Sequence, residues 1–283
     1  MKISQKLGRR RAAGPAKPNE LWETIQTVFF ALLIALVIKT LAFQPYTIPS
    51  ASEEPNLYEG DYIVVSKWAY GYSHHSILLS PPIFKGRVLF TPPRRGDIIV
   101  FKLPSSGHVD YIKRLVGLPG DRIQVRGGRL YINDKPLAVG PRKAVEVEDR
   151  GVPEQGAWVQ ETNPEGRRYL TQIHGVGQEP ADNTGVYVVP PHCYFMMGDN
   201  RENSLDSRFD SGLSPDDPKL GGCGWDSRLD SYLPPEAGVG FVPEENLVGR
   251  AELVLVSWNK GASIFKPWTW LNLRGNRLFH RIA

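Results

Sequence analysis

The chain has 283 residues with 28 glycines and 24 prolines, a composition that favours turns and short strands over long helices. Its net charge of +4 is uneven: residues 1–19 hold six basic side chains and no acid, while the rest carries 28 basic against 30 acidic groups, which argues against a nucleic-acid partner. Two cysteines, Cys193 and Cys223, exclude a disulfide framework and a cysteine zinc site but leave room for one disulfide outside the cytoplasm.

The first predicted element follows the basic tail of 1–20. Val28 to Ile38, "VFFALLIALVI", is apolar without a break. Extended over 21–43, with Lys39 reaching back to the interface, it matches the roughly 20 residues that cross a bilayer. Pro45 and Pro49 then stop any helix, because each forces its predecessor towards extended geometry. A cleaved signal peptide would need a shorter polar lead and a small-x-small site, for which "PSAS" is the candidate. The positive tail stays cytoplasmic, which sends everything after Phe43 across the membrane.

Beyond Phe43 the pattern is β. "DYIVVSKW" (61–68), "GDIIVFKL" (96–103), "DYIKRLVG" (110–117), "DRIQVR" (121–126) and "RLYIND" (129–134) are short β-rich runs between Gly and Pro. Gly127-Gly128 is a two-residue hairpin signal. "GVYVVP" (185–190), "CYFMMGD" (193–199) and "AELVLVSW" (251–258) follow. This divides the chain into a first core part at 44–137, an insertion or small subdomain at 138–184, and a second core part at 185–258. Within that second part lies a further insertion at 209–239, and a C-terminal tail covers 259–283. "DSRFDS" at 206–211 recurs as "DSRLDS" at 226–231, and the sequence leaves open which copy docks in the core. His74-His75, in a turn-rich stretch, reads as an exposed loop pair rather than a metal site.

The chemistry lies in three places. A serine becomes a nucleophile when a neighbour takes its proton; no histidine has a recognisable setting for this, and the other known base is a lysine kept neutral by burial. If 110–116 is a strand, Lys113 stands between Tyr111 and Leu115 on one face, and Arg114, on the other, must find a carboxylate or water. "MGDNRENSLDSR" (197–208) packs charged groups directly after an apolar strand, with Arg208 suited to bidentate pairing with a carboxylate.

"IPSAS..P.L..GDYIVVSKWAYG", "RRGDIIVFKLP", "DYIKRLVGLPGD", "MGDNRENSLDSR" and "GFVPEENLVGRA" occur in this order after a membrane anchor. Together they resemble bacterial type I signal peptidase, the Ser-Lys membrane protease family that removes signal peptides from exported preproteins. The resemblance covers about 43–134 and 185–258. It implies a mainly β catalytic domain, of the fold shared with self-cleaving repressors, on one N-terminal transmembrane helix. It places the nucleophile at Ser52, the general base at Lys113 and an oxyanion donor at Ser50. Ser204 would orient the Lys113 amine, with Asp199, Asp206 and Arg208 bracing that region. Tyr46, Ile48, Pro49, Leu57, Tyr111 and Ile112 would line shallow pockets for the small residues of an Ala-x-Ala site. It also implies signal peptides and membrane lipid as partners, no nucleic acid, no cofactor or metal, and a catalytic domain on the outer, periplasmic face of the bacterial inner membrane.

The chain departs from the family pattern at Ala51, Glu53 and Asn56, where glycine, methionine and threonine are usual. Glu53 matters most, because a carboxylate beside the lysine favours the ammonium over the free amine. The expectation is that Glu53 points into solvent; a shifted pH optimum and a contact with the primed side of the substrate are the alternatives. The departures also admit an inactive member, or a protease specialised for one substrate.

Overall fold

The computed structural model describes residues 20–77, 80–81, 83–149, 152–174, 180–225, 238–259, 261–262 and 266–282. The basic tail of 1–19 and the second repeat at 226–231 lie outside them. One helix, α1 (Glu20–Leu41), is followed by β1 (Phe43–Thr47), β2 (Asp61–Ser66), β3 (Ile98–Lys102) and β4 (Asp110–Gly117). Next come β5 (Arg122–Arg126), β6 (Arg129–Ile132), β7 (Lys135–Pro136), β8 (Ala138–Val139), β9 (Lys143–Asp149), β10 (Val152–Thr162) and β11 (Arg168–Ile173). The series ends with β12 (Tyr187–Val188), β13 (Cys193–Met197), β14 (Val242–Pro243), β15 (Leu247–Ser257) and β16 (His280–Arg281).

At 22 residues α1 is about 33 Å long, enough for a hydrocarbon core of about 30 Å, and none of its side chains is buried against protein. It ends at Leu41, two residues before the expected Phe43, because Phe43 is already paired with Ser66 in β1. Pro45 falls within β1, and β1 tolerates it as an edge strand bonded to β2 alone.

The main sheet is antiparallel, in the order β1-β2-β15-β3-β4-β13-β14, with β16 beside β15. Its middle strand β3 is buried on both faces. Ile98 and Val100 join Leu57, Ile63, Val65 and Val254 on one side, while Ile99 and Phe101 join Leu115 and Leu247 on the other. That is the strand alternation expected of an unbroken apolar run covered on both sides. A small sheet, β12-β5-β6-β7, packs on a third cluster that includes Phe195, Val116 and Cys193. In it Gly127 and Gly128 both take positive φ (54° and 73°), and Arg126 pairs with Arg129 across the two-residue turn. Cys193 and Cys223 are joined by a disulfide in that third cluster.

Segment 138–184 builds an antiparallel sheet in which β10 pairs with β8, β9 and β11. It is tied to the main sheet by buried charge: Arg201 grips Glu161 through two hydrogen bonds of 2.7 and 2.5 Å. Of the repeated motif, the copy at Asp206–Ser211 is docked, with Asp206, Ser207 and Arg208 all buried, and the other lies outside the described residues.

Candidate active site

Strand β4 runs through the site from edge to interior. Lys113 pairs with Ile99 across the ladder, and its side chain is 5% exposed. The Nζ atom lies 2.5 Å from Ser52 Oγ, 2.9 Å from the Ile112 carbonyl and 5.8 Å from the centre of the Tyr111 ring. Ser52 is buried in a single 3-10 turn, Ala51–Glu53, which starts four residues beyond the end of β1 at Thr47. Ser50 Oγ is 3.5 Å from Ser52 Oγ.

The polar motif after β13 clamps this turn from behind. Asn200 donates its backbone N–H to the Ser52 carbonyl (3.1 Å) and its side-chain amide to the Ala51 carbonyl (3.3 Å). Gly198 lies so close that a Cβ there would collide with Ser204 and come within 2.6 Å of the Ser52 carbonyl oxygen. Asp206 accepts from Arg208 (2.9 Å) and from the Gly198 N–H (3.0 Å). Burial pushes the Asp206 carboxyl up, but Arg208 and these donors outweigh it and hold the group below its ordinary range.

Arg114, on the opposite face from Lys113, is held by both oxygens of Asp199 at 2.7 and 2.8 Å and stacks on Tyr169, 4.2 Å from the ring centre. Asn56 donates to the same Asp199 (2.7 Å) and to the Leu170 carbonyl (2.6 Å). The departure at Asn56 thus forms a joint between the turn after Ser52 and the 138–184 sheet.

Four expectations are corrected. Glu53 does not face solvent: it is fully buried, with Oε1 3.6 Å from Lys113 Nζ and neither oxygen hydrogen-bonded among the described residues. Burial first, and then Asp199, push its carboxyl well above the ordinary range, with Lys113 and Arg114 pulling the other way. Ser204 is buried but its hydroxyl has no hydrogen-bond partner among the described residues, so it does not hold the Lys113 amine here. Leu57 is sealed in the core and Ile48 nearly so, whereas Tyr46, Tyr111 and Ile112 are half-buried and Pro49 is exposed. The His74-His75 pair is half-buried rather than exposed, its rings 3.8 Å apart.

Residues that the sequence reading missed are Asn200 and Arg201, which lay inside a motif already marked as dense in polar groups, and Glu161 and Tyr169. No local signal distinguished the last two. A cavity of about 310 Å³ lies between β1 and the start of β4, lined by Gln44, Tyr46, Lys102, His108 and Asp110 among others; neither Ser52 nor Lys113 lines it.

Comparison with known proteins identifies the family. The family described as "Signal peptidase, peptidase S26" matches residues 21–258. Signal peptidase I of Rickettsia typhi is 35% identical over 271 residues, covering 89% of this chain and 90% of its own, and that of Rickettsia prowazekii is 36% identical over 273 residues with the same coverage. The crystal structure of a signal peptidase I from Enterococcus faecalis aligns at 25% identity and a TM-score of 0.28, over 56% of this chain and 97% of that one. On the family match and the two Rickettsia identities, the chain belongs to the signal peptidase family, peptidase S26, a family of serine endopeptidases.

Proposed function

We propose that this chain removes N-terminal signal peptides from exported preproteins by cutting after small residues, with Ser52 as nucleophile and Lys113 as general base. The observation that carries the reading is the 2.5 Å contact between Ser52 Oγ and Lys113 Nζ, both buried. The neutral amine takes the Ser52 proton as Oγ attacks the scissile carbonyl. The oxyanion then formed lies against the Ser50 hydroxyl and the Ser52 N–H, a kind of contact worth about 2.7–4 kcal/mol per donor. The Lys113 ammonium returns its proton to the leaving amine, and the same lysine activates the water that hydrolyses the Ser52 ester.

Two open strand edges support a substrate in extended form. Among the described residues β1 is bonded only to β2, and residues 110–113 of β4 only to β3, since β13 joins β4 from Arg114 onward. A peptide added as a strand between these edges brings its carbonyl to Ser52. Tyr46 and Ile112 flank that gap, together with Tyr111 and Pro49. The positive tail and α1 orient the domain on the outer face of the inner membrane.

The buried Glu53 favours a second reading, an inactive or slowed member, because an ionised carboxylate 3.6 Å away keeps the amine protonated. Cleavage of a preprotein with an Ala-x-Ala site by the parent, by Ser52→Ala and by Lys113→Ala separates the two. Loss of cleavage in both variants is expected. Cleavage surviving either substitution would sink the dyad, and a parent inactive at every pH would establish the second reading.

A further inference from the structure

Beside the start of β3 lies a cavity of about 830 Å³ whose walls carry five arginines: Arg94, Arg95, Arg167, Arg250 and Arg281. Three carboxylates share the cavity, and each is already taken. Glu165 pairs with Arg95 at 3.0 Å, Asp97 with Arg167 at 2.7 Å, and Glu252 with Arg250 at 2.9 Å. Asp97 also accepts from Tyr70, and Glu252 from Ser66. Arg95 has Asp121 as a further partner. Among the described residues Arg94 and Arg281 have no ion pair, and both are exposed at the cavity wall. The cavity therefore presents two unneutralised guanidinium groups on a frame of satisfied ones, an arrangement that takes a bidentate oxyanion.

Its place in the fold says which oxyanion. Phe43, two residues after α1, pairs with Ser66, and Ser66 pairs with Arg250. Two strand spacings of about 4.8 Å put the Arg250 backbone roughly 10 Å from the point where the membrane helix becomes sheet. Phe43 and Trp68, half-exposed and stacked with centroids 4.3 Å apart, stand at that same point. Trp68, an amphipathic aromatic, is of the kind that sits at headgroup level.

We propose that this cavity binds the phosphate of an anionic phospholipid headgroup, clasped by Arg94 and Arg281, and so fixes the catalytic domain against the membrane surface. The site lies outside the catalytic machinery, and lipid retention is read without reference to cleavage, so the proposal stands or falls separately from the protease reading.

The full chain, solubilised in detergent, is mixed with phosphatidylglycerol or with phosphatidylcholine, and retained lipid is measured by native mass spectrometry. The parent should retain phosphatidylglycerol in preference to phosphatidylcholine. Retention should fall about fivefold for Arg94→Ala or Arg281→Ala alone, and on the order of twentyfold for the pair. Because both side chains are exposed and have no ion pair among the described residues, the variants should keep the parent's melting temperature in lipid-free detergent, which checks folding. Excess inorganic phosphate should not displace the lipid; if it does, and binds the parent alone but not the double variant, the site belongs to the soluble ion and its assignment to lipid is overturned. Equal retention of phosphatidylglycerol by parent and double variant, or of both lipids by the parent, overturns the proposal outright.

Discussion

Glu53 Oε1 lies 3.6 Å from Lys113 Nζ, with both side chains shut away from solvent. The lysine that faces Ser52 on one side therefore faces a carboxyl on another, and the charge state of that carboxyl decides whether the amine is free. Neutral Glu53 leaves the amine's lone pair for Ser52; ionised Glu53 draws a proton onto it.

The first prediction concerns pH. Burial raises the Glu53 carboxyl well above 4.5, so the folded protein holds a proton that the unfolded chain releases from about pH 4.5 upward. Stability from this group is thus full below that pH and declines as pH rises towards the folded value. Glu53→Met removes the decline, and its melting temperature should gain on the parent's between acid and neutral pH. The acid limb of kcat/KM should move to lower pH in the same variant. Superimposable pH–rate profiles would mean that Glu53 exerts no electrostatic effect on the base.

Arg114 and Asp199 form a buried bidentate pair that also anchors Asn56 and stacks on Tyr169. Removing one partner strands the other, so Asp199→Ala should destabilise by about 3–5 kcal/mol. A double variant, Arg114→Met with Asp199→Leu, should recover part of that loss. Denaturant titration of the three proteins measures it, and additive effects would show the pair to be uncoupled.

Ser204 gives a sharper test of positioning against packing. Its hydroxyl is buried and has no partner among the described residues, so Ser204→Ala should leave stability within about 0.5 kcal/mol or raise it. If the hydroxyl turns to the Lys113 amine when substrate is bound, kcat should fall about tenfold with KM unchanged. Unchanged kcat would remove Ser204 from the catalytic account.

The Cys193–Cys223 bridge closes a segment with a sequence separation of 30 and lies beside Phe195 and Phe241 in the core. Replacing both cysteines by serine should lower stability by about 2–4 kcal/mol, as read by thermal denaturation. A melting temperature insensitive to reductant would argue that the bridge does not form in the protein as purified.

Much of the catalytic frame was legible because its signals are local. "DYIKRLVG" is β4 to the residue, and its alternation correctly separated Lys113 from Arg114. The carboxylate that Arg114 required proved to be Asp199, whose motif had been singled out for charge density alone. Segment 138–184 was harder. β10 contains Pro153 and Gly156, and its polar residues mask the period of two. Glu161 meets Arg201 only through tertiary docking, which no window of sequence reveals. Glu53 was misplaced for another reason: a turn of three residues has no periodicity from which a direction could be read, and the composition of "SEEP" suggested water.

A sheet left open for a visiting strand is open to any strand. With β1 and the first half of β4 each unpaired on one side, two copies of the chain brought together in the membrane plane offer each other the same invitation as a preprotein does. Pro45 and Pro49 lack the N–H that a neighbouring strand would seek, so the β1 edge is a poor mate for a long, regular partner. It suits a short visitor that is released once cut. The prolines that follow the helix would thus also guard the enzyme against its own kind.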